Sequence, residues 1–266
     1  MNRRVVSTLS GMLCPILALL APDATAAIVP VAQDRSVEAS ATATVFSISN
    51  SDSDSAAAAD FAPFAATVDP LAVTVAEVQV AISQGVARQD SSLGAASVSA
   101  SGEASAALTL TAGGNGSASA DAASLFEFLF FVDSASSFLL TGSLDTQAIV
   151  TGGAAIPLLL NDLLFEDVDN SVVLFQALTN DESFSVNGLL QPGSYRLSAS
   201  ARIAADQASS LVAARTVSGL SSYEFVLDVV PVPVPEPAVP ALLLLSLAGL
   251  GIAGSLSGAR RGGARC

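Results

Sequence analysis

The chain has no histidine, no lysine and no tryptophan among its 266 residues. Without histidine there is no Ser-His-Asp triad and no imidazole metal ligand. Without lysine there is no Ser-Lys dyad, no P-loop and no Schiff base. The two cysteines, Cys14 and Cys266, both lie outside the stretch 27–235. That stretch therefore has no disulfide, no thiol nucleophile and no thiolate metal cluster. The missing tryptophan removes the usual aromatic platform for a sugar ring. Positive charge is also scarce. Within 27–235 only Arg35, Arg88, Arg196, Arg202 and Arg215 are basic, 5 against 22 carboxylates, a net charge of −17. Such a surface repels nucleic acid and anionic polymers, favours cations and keeps an exported protein soluble.

What is present is clearest at the two ends. Pro231, Pro233, Pro235 and Pro237 alternate with other residues. They fix φ, remove donors and predict a stiff extended spacer. Residues 238–256 then carry no charge. At 1.5 Å per residue this run spans about 28 Å as a helix, near the roughly 30 Å hydrocarbon core, so it predicts a transmembrane helix. Gly249, Gly251 and Gly254 are tolerated in such a helix. Arg260, Arg261 and Arg265 follow it and place that side in the cytoplasm by the positive-inside bias. At the other end, Arg3 and Arg4 precede a mainly apolar run at 5–20, and Ala24-Thr25-Ala26 is a small-residue cleavage site. The reading is a signal peptide over 1–26, removed after Ala26. Cys14 follows Leu13 inside the apolar run, which argues against a lipoprotein. Residues flanking Arg3-Arg4 match twin-arginine export poorly.

Val234-Pro235-Glu236-Pro237, the apolar run after it and the arginine cluster resemble the PEP-CTERM sorting domain. The resemblance covers residues 231–266, with the basic tail interrupted by Gly262, Gly263 and Ala264. It implies an exosortase, a multi-pass membrane cysteine transpeptidase-like enzyme, as the processing partner. It also implies passage through the inner membrane to the cell surface or extracellular space.

Between the ends the residue types favour strands. Residues 39–49, 95–111, 125–132, 137–144, 147–151, 156–160, 172–175, 183–186, 194–204 and 222–230 are the expected ones. In 194–204, Tyr195, Leu197, Ala199, Ala201 and Ile203 share one face. Ala112-Gly113-Gly114-Asn115-Gly116 reads as a hairpin turn; without a lysine it is no phosphate cradle. Gln191-Pro192-Gly193 is a second turn. Residues 51–59 read as an acidic loop, with Asp52 and Asp54 as solubilisers, and 70–88 is ambiguous between strand and helix. The expected fold is all-β, an antiparallel sandwich or jelly-roll-like ectodomain over 27–230. Leu190-Gln191-Pro192-Gly193-Ser194-Tyr195 and Tyr223-Glu224-Phe225-Val226-Leu227 resemble segments of PEP-CTERM surface ectodomains. That resemblance implies architecture and export rather than a reaction.

Carboxylates are the remaining reactive inventory. Asp162, Glu166, Asp167 and Asp169 crowd with Asn161 and Asn170 into ten residues, and hard oxygen ligands suit Ca²⁺. No glycine and no EF-hand spacing accompany them, so a solvated acidic loop is the simpler reading. Tyr195 and Tyr223, the two tyrosines, read as strand packing. The resulting expectation is a non-enzymatic, exported, exosortase-processed envelope or extracellular-matrix protein with a structural or adhesive role and no organic cofactor. Its partners would be exosortase, the inner membrane before processing, and exopolysaccharide. The alternatives are a secreted carbohydrate-active hydrolase using carboxylates, and a Ca²⁺-dependent binding module.

Overall fold

The structure is a computed structural model that describes residues 28–77, 79–113, 115–178, 182–208 and 213–232. The signal-peptide residues Ala24 and Ala26, the motif Val234, Pro235, Glu236 and Pro237, the span 238–256, and Arg260, Arg261 and Arg265 lie outside the described residues.

Among the described residues every regular element is a strand: β1 (Ile28–Val45), β2 (Ile48–Ala57), β3 (Phe64–Val68), β4 (Leu71–Ala76), β5 (Gln79–Leu93), β6 (Ser97–Leu110), β7 (Gly116–Val132), β8 (Ser136–Thr151), β9 (Leu158–Asp167), β10 (Val172–Ala177), β11 (Glu182–Leu190), β12 (Gly193–Ala208) and β13 (Arg215–Pro231). They form two antiparallel sheets, the sandwich expected from the period-2 pattern. One runs β10-β9-β12-β7-β1-β2; the other runs β11-β8-β13-β6-β5-β3, with β4 also paired to β5. Alternation sets the inward faces. Tyr195, Leu197, Ala199, Ala201 and Ile203 are all buried, as their shared face predicts.

The core is graded in size. Near the end where β7 finishes and β12 begins it is aromatic. Phe126 meets Phe225 edge-on at 5.1 Å between ring centres, and Phe138 meets Phe165 at 5.2 Å, each pair joining the two sheets. Further along, the inward residues shrink to Ala39, Ala41 and Ala43 of β1, Ala118, Ala120 and Ala122 of β7, and Ala81 and Ala87 of β5. Small side chains let the layers approach. A Cβ added to Gly85 of β5 would stand 2.9 Å from the carbonyl oxygens of Ser40 and Asp121 in the facing sheet. Side chains of one sheet even reach backbone carbonyls of the other: Thr74 Oγ1 donates to Ala43 O at 2.7 Å and Gln89 Nε2 to Leu125 O at 2.7 Å. The bonds offset the small apolar area that alanine buries.

Several local expectations are corrected. Residues 51–59 are not a loop: 48–57 form edge strand β2, paired to β1 from Val45↔Ile48 to Ser36↔Ala57. The expected strand 39–49 is strand over 39–45 and 48–49, interrupted by the β1–β2 turn at Phe46, which adopts φ 56° and donates its N–H to Asn115 O at 2.7 Å. The turn at 112–116 joins no hairpin, because β6 and β7 lie in different sheets. It is a crossover. Of the expected acidic loop 161–170, residues up to Asp167 belong to β9. The ambiguous 70–88 is a β4–β5 hairpin.

Candidate functional site

The close approach at Gly85 shapes the opposite, outer face of the six-stranded sheet. Two cross-strand rows lie there. One is Ser55–Glu38–Ala123–Arg202–Leu160; the next is Ser53–Ser40–Asp121–Ala204–Leu158. The small Ala123 and Ala204 leave space between β2 and the leucines of β9. The result is a groove of about 720 Å³ walled by β2 on one side and by Leu158 and Leu160 on the other. Ala123 is its floor. It points outward, yet it is only 7% exposed, and Ala122, Ala123 and Ser124 break the alternation as three consecutive buried residues. Leu158 and Leu160 are 58% and 50% exposed, large aliphatic side chains beside Arg202 and Ala204.

The polar groups of the groove are largely uncommitted. Arg202 is exposed and makes no hydrogen bond or ion pair among the described residues. Arg196, six residues away on the same face, does pair, with Glu166 at 2.5 Å and Glu127 at 3.8 Å. The Asp121 carboxyl is held above the usual carboxylate range, first by burial and then by the charge of Asp206. A second depression of about 440 Å³ shares Leu160 and Arg202 with the first and extends past Ser200 and Ser198 toward Glu127. Arg202 thus sits where the two meet.

The four residues read as a candidate Ca²⁺ set are placed on separate partners. Asp162 accepts a hydrogen bond from Ser200 Oγ. Glu166 pairs with Arg196. Asp167 accepts from the backbone N–H and side-chain amide of Asn170, at 3.0 and 2.9 Å, and Asp169 accepts from Ser194 N–H at 2.8 Å. Among the described residues no group of three or more His, Cys, Asp or Glu side chains is placed to hold a metal ion. Asp162 lines the second depression.

Sequence reasoning missed Arg35. It is 1% exposed, held by Gln33 Oε1 at 2.8 Å, Ala62 O at 2.9 Å, Asp60 O and Ser91 Oγ, with Phe64 5.7 Å beneath its guanidinium. Burial lowers its pKa, with Asp60 acting the other way. It fastens the link between β2 and β3 to the sandwich. Its signal was faint: an arginine followed by the apolar alternation that begins at Val37. Tyr195 and Tyr223 are core residues; Tyr195 Oη donates to Gln191 O at 2.7 Å. The groove left no motif, because its residues come from five strands. No protein-family model matches the chain, and no curated protein matches it.

Proposed function

We propose that this chain is an exported envelope or matrix protein with a structural or adhesive role, anchored through its C-terminal segment and processed by an exosortase. The observation that carries this reading is where the sandwich begins and ends. Ile28 donates to Ala95 O at 2.7 Å, Val229 to Ala96 O at 2.8 Å, and Val232 to Ala135 O at 2.9 Å. Both ends therefore leave from one pole. With the leader removed, a C-terminal anchor tethers the domain at that pole and leaves its broad faces exposed. The proline spacer begins where β13 ends, so the chain passes from the sandwich to the apolar run 238–256 within a few residues. The test is fractionation with mass measurement in the native host. Replacing Pro235, Glu236 and Pro237 by alanine leaves an uncleaved inner-membrane protein, since the apolar run and arginines still supply insertion and orientation. Deleting 238–266 releases soluble protein to the periplasm. Normal processing of the triple-alanine variant would overturn the sorting assignment.

A second reading, a secreted carbohydrate hydrolase, draws on Asp121. Its raised pKa and its place in the groove beside Glu38 suit a proton-donating carboxyl. Its mark is new reducing ends released from a polysaccharide, lost in Asp121→Asn.

A further inference from the structure

We infer that the groove on the outer face of the six-stranded sheet binds a neutral, hydroxyl-rich glycan chain. This deepens the adhesive reading above and rests on it.

Charge narrows the ligand. Glu38, Asp54 and Asp121 line the groove and repel a polyanion. Arg202, at the junction of the two depressions and without an ion pair, places a guanidinium donor at their centre. A ligand without anionic groups and with many hydrogen-bonding groups fits such a lining. The lining matches that chemistry. Carboxylates accept from sugar hydroxyls, the guanidinium donates to hydroxyl and ring oxygens, and Ser40 and Ser53 do either. The exposed Leu158 and Leu160 offer an aliphatic wall to the C–H face of a sugar ring, in place of the absent tryptophan. Such leucines stand in water at a cost unless something covers them.

Shape points to a chain rather than a single sugar. The two depressions, about 720 and 440 Å³, are joined at Leu160 and Arg202. Together they exceed what one monosaccharide fills and suit several units laid end to end. The floor at Ala123 and the close approach of the sheets beneath it make the groove part of the fold rather than of a mobile loop. A ligand meets a site already shaped for it.

The experiment uses the full-length chain purified in detergent. The probes are a soluble neutral β-glucan, a galactomannan, polygalacturonate and polylysine, with affinity electrophoresis and calorimetry as readouts. Neutral polymers are expected to bind and to respond to the groove variants, polygalacturonate to bind far less, and polylysine, drawn to the acidic surface as a whole, to bind without responding to those variants. Ala123→Phe fills the floor and is expected to weaken binding at least about tenfold, as loss of a central contact does. Leu160→Ser, at an exposed wall position, keeps the fold and weakens binding too, which guards against a misfolded Ala123→Phe. Ser105→Phe, on the outer face of the other sheet, leaves binding unchanged. Three results overturn the inference: no neutral glycan is retained, Leu160→Ser binds as wild type, or polygalacturonate binds more tightly than the neutral polymers. Loss of membrane anchoring in the fractionation experiment would overturn the anchored reading and leave a positive glycan result standing.

Discussion

At the scale of single residues, the buried polar contacts are the most testable. Tyr223 is 2% exposed, accepts a hydrogen bond from Gln89 Nε2 at 2.8 Å and lies 3.4 Å from Ser124 Oγ. The same Gln89 amide donates to Leu125 O, so Tyr223 links the two sheets through one side chain. Tyr223→Phe leaves one buried N–H of Gln89 unpaired. The expected loss is about 1–2 kcal/mol, read as a lower urea midpoint with an unchanged m-value. Burial pushes the Tyr223 phenol up to about 12, against the bonds from Ser124 and Gln89, which pull it down. The folded value thus lies above the unfolded one of about 10. The neutral phenol is the form that the fold prefers. Its stability is fully present below about pH 10 and is lost as pH rises through the folded value. Tyr195 is shifted the same way, mainly by burial. With no histidine, lysine or cysteine between 28 and 232, the alkaline limb of the stability curve belongs largely to these two phenols. Tyr223→Phe flattens it; an unchanged slope between pH 10 and 12 would remove Tyr223 from the account.

At the scale of elements, the alanine-rich strands explain both the packing and the groove. Alanine and serine are poor strand formers, yet β1, β7 and β12 are among the longest strands here. Their small inward residues let the layers close up at Gly85, and outward polar residues spare β1 and β7 from reading as a buried helix. Gly85→Val tests this. A Cβ there stands 2.9 Å from two backbone oxygens, which cannot rotate away. The facing sheet is expected to move outward, with a loss of roughly 1–3 kcal/mol from overpacking and weaker glycan binding as the groove flattens. Wild-type stability in thermal melts of Gly85→Val would show that the layers are looser than described. The strand pattern was legible where apolar and small residues alternate, as in 194–204. It was not legible in β2. Its run Ser51-Asp52-Ser53-Asp54-Ser55 has no apolar face because both of its faces are exposed. An edge strand of this kind is held by pairing with β1 and by contacts such as Leu71 N–H to Asp52 Oδ2 at 3.2 Å, not by burial.

At the scale of the whole molecule, charge imbalance sets the response to solution conditions. Five arginines face 22 carboxylates across 27–235, and Arg196 makes the ion pairs with Glu127 and Glu166. Self-repulsion is therefore only slightly relieved by pairing. Raising salt from about 0.01 M to 0.15 M shortens the screening length from roughly 30 Å to 8 Å. The melting temperature is expected to rise by a few degrees, and a fall would mean that attractive pairs dominate. Composition and the order of residues were enough to determine that the described middle is all-β, that 27–235 offers no histidine, lysine or cysteine chemistry, and which residues of 194–204 face inward. These follow from side-chain inventory and from a period of two, both local properties. Tertiary structure alone decided which strands share a sheet, that 112–116 crosses between sheets, that Arg35 is buried, and that a groove forms over Ala123. Those depend on partners far apart in sequence, as with Gln89 and Tyr223, 134 residues apart. No local pattern encodes how closely two layers approach; that distance emerges only when Gly85 meets the backbone of Ser40 and Asp121.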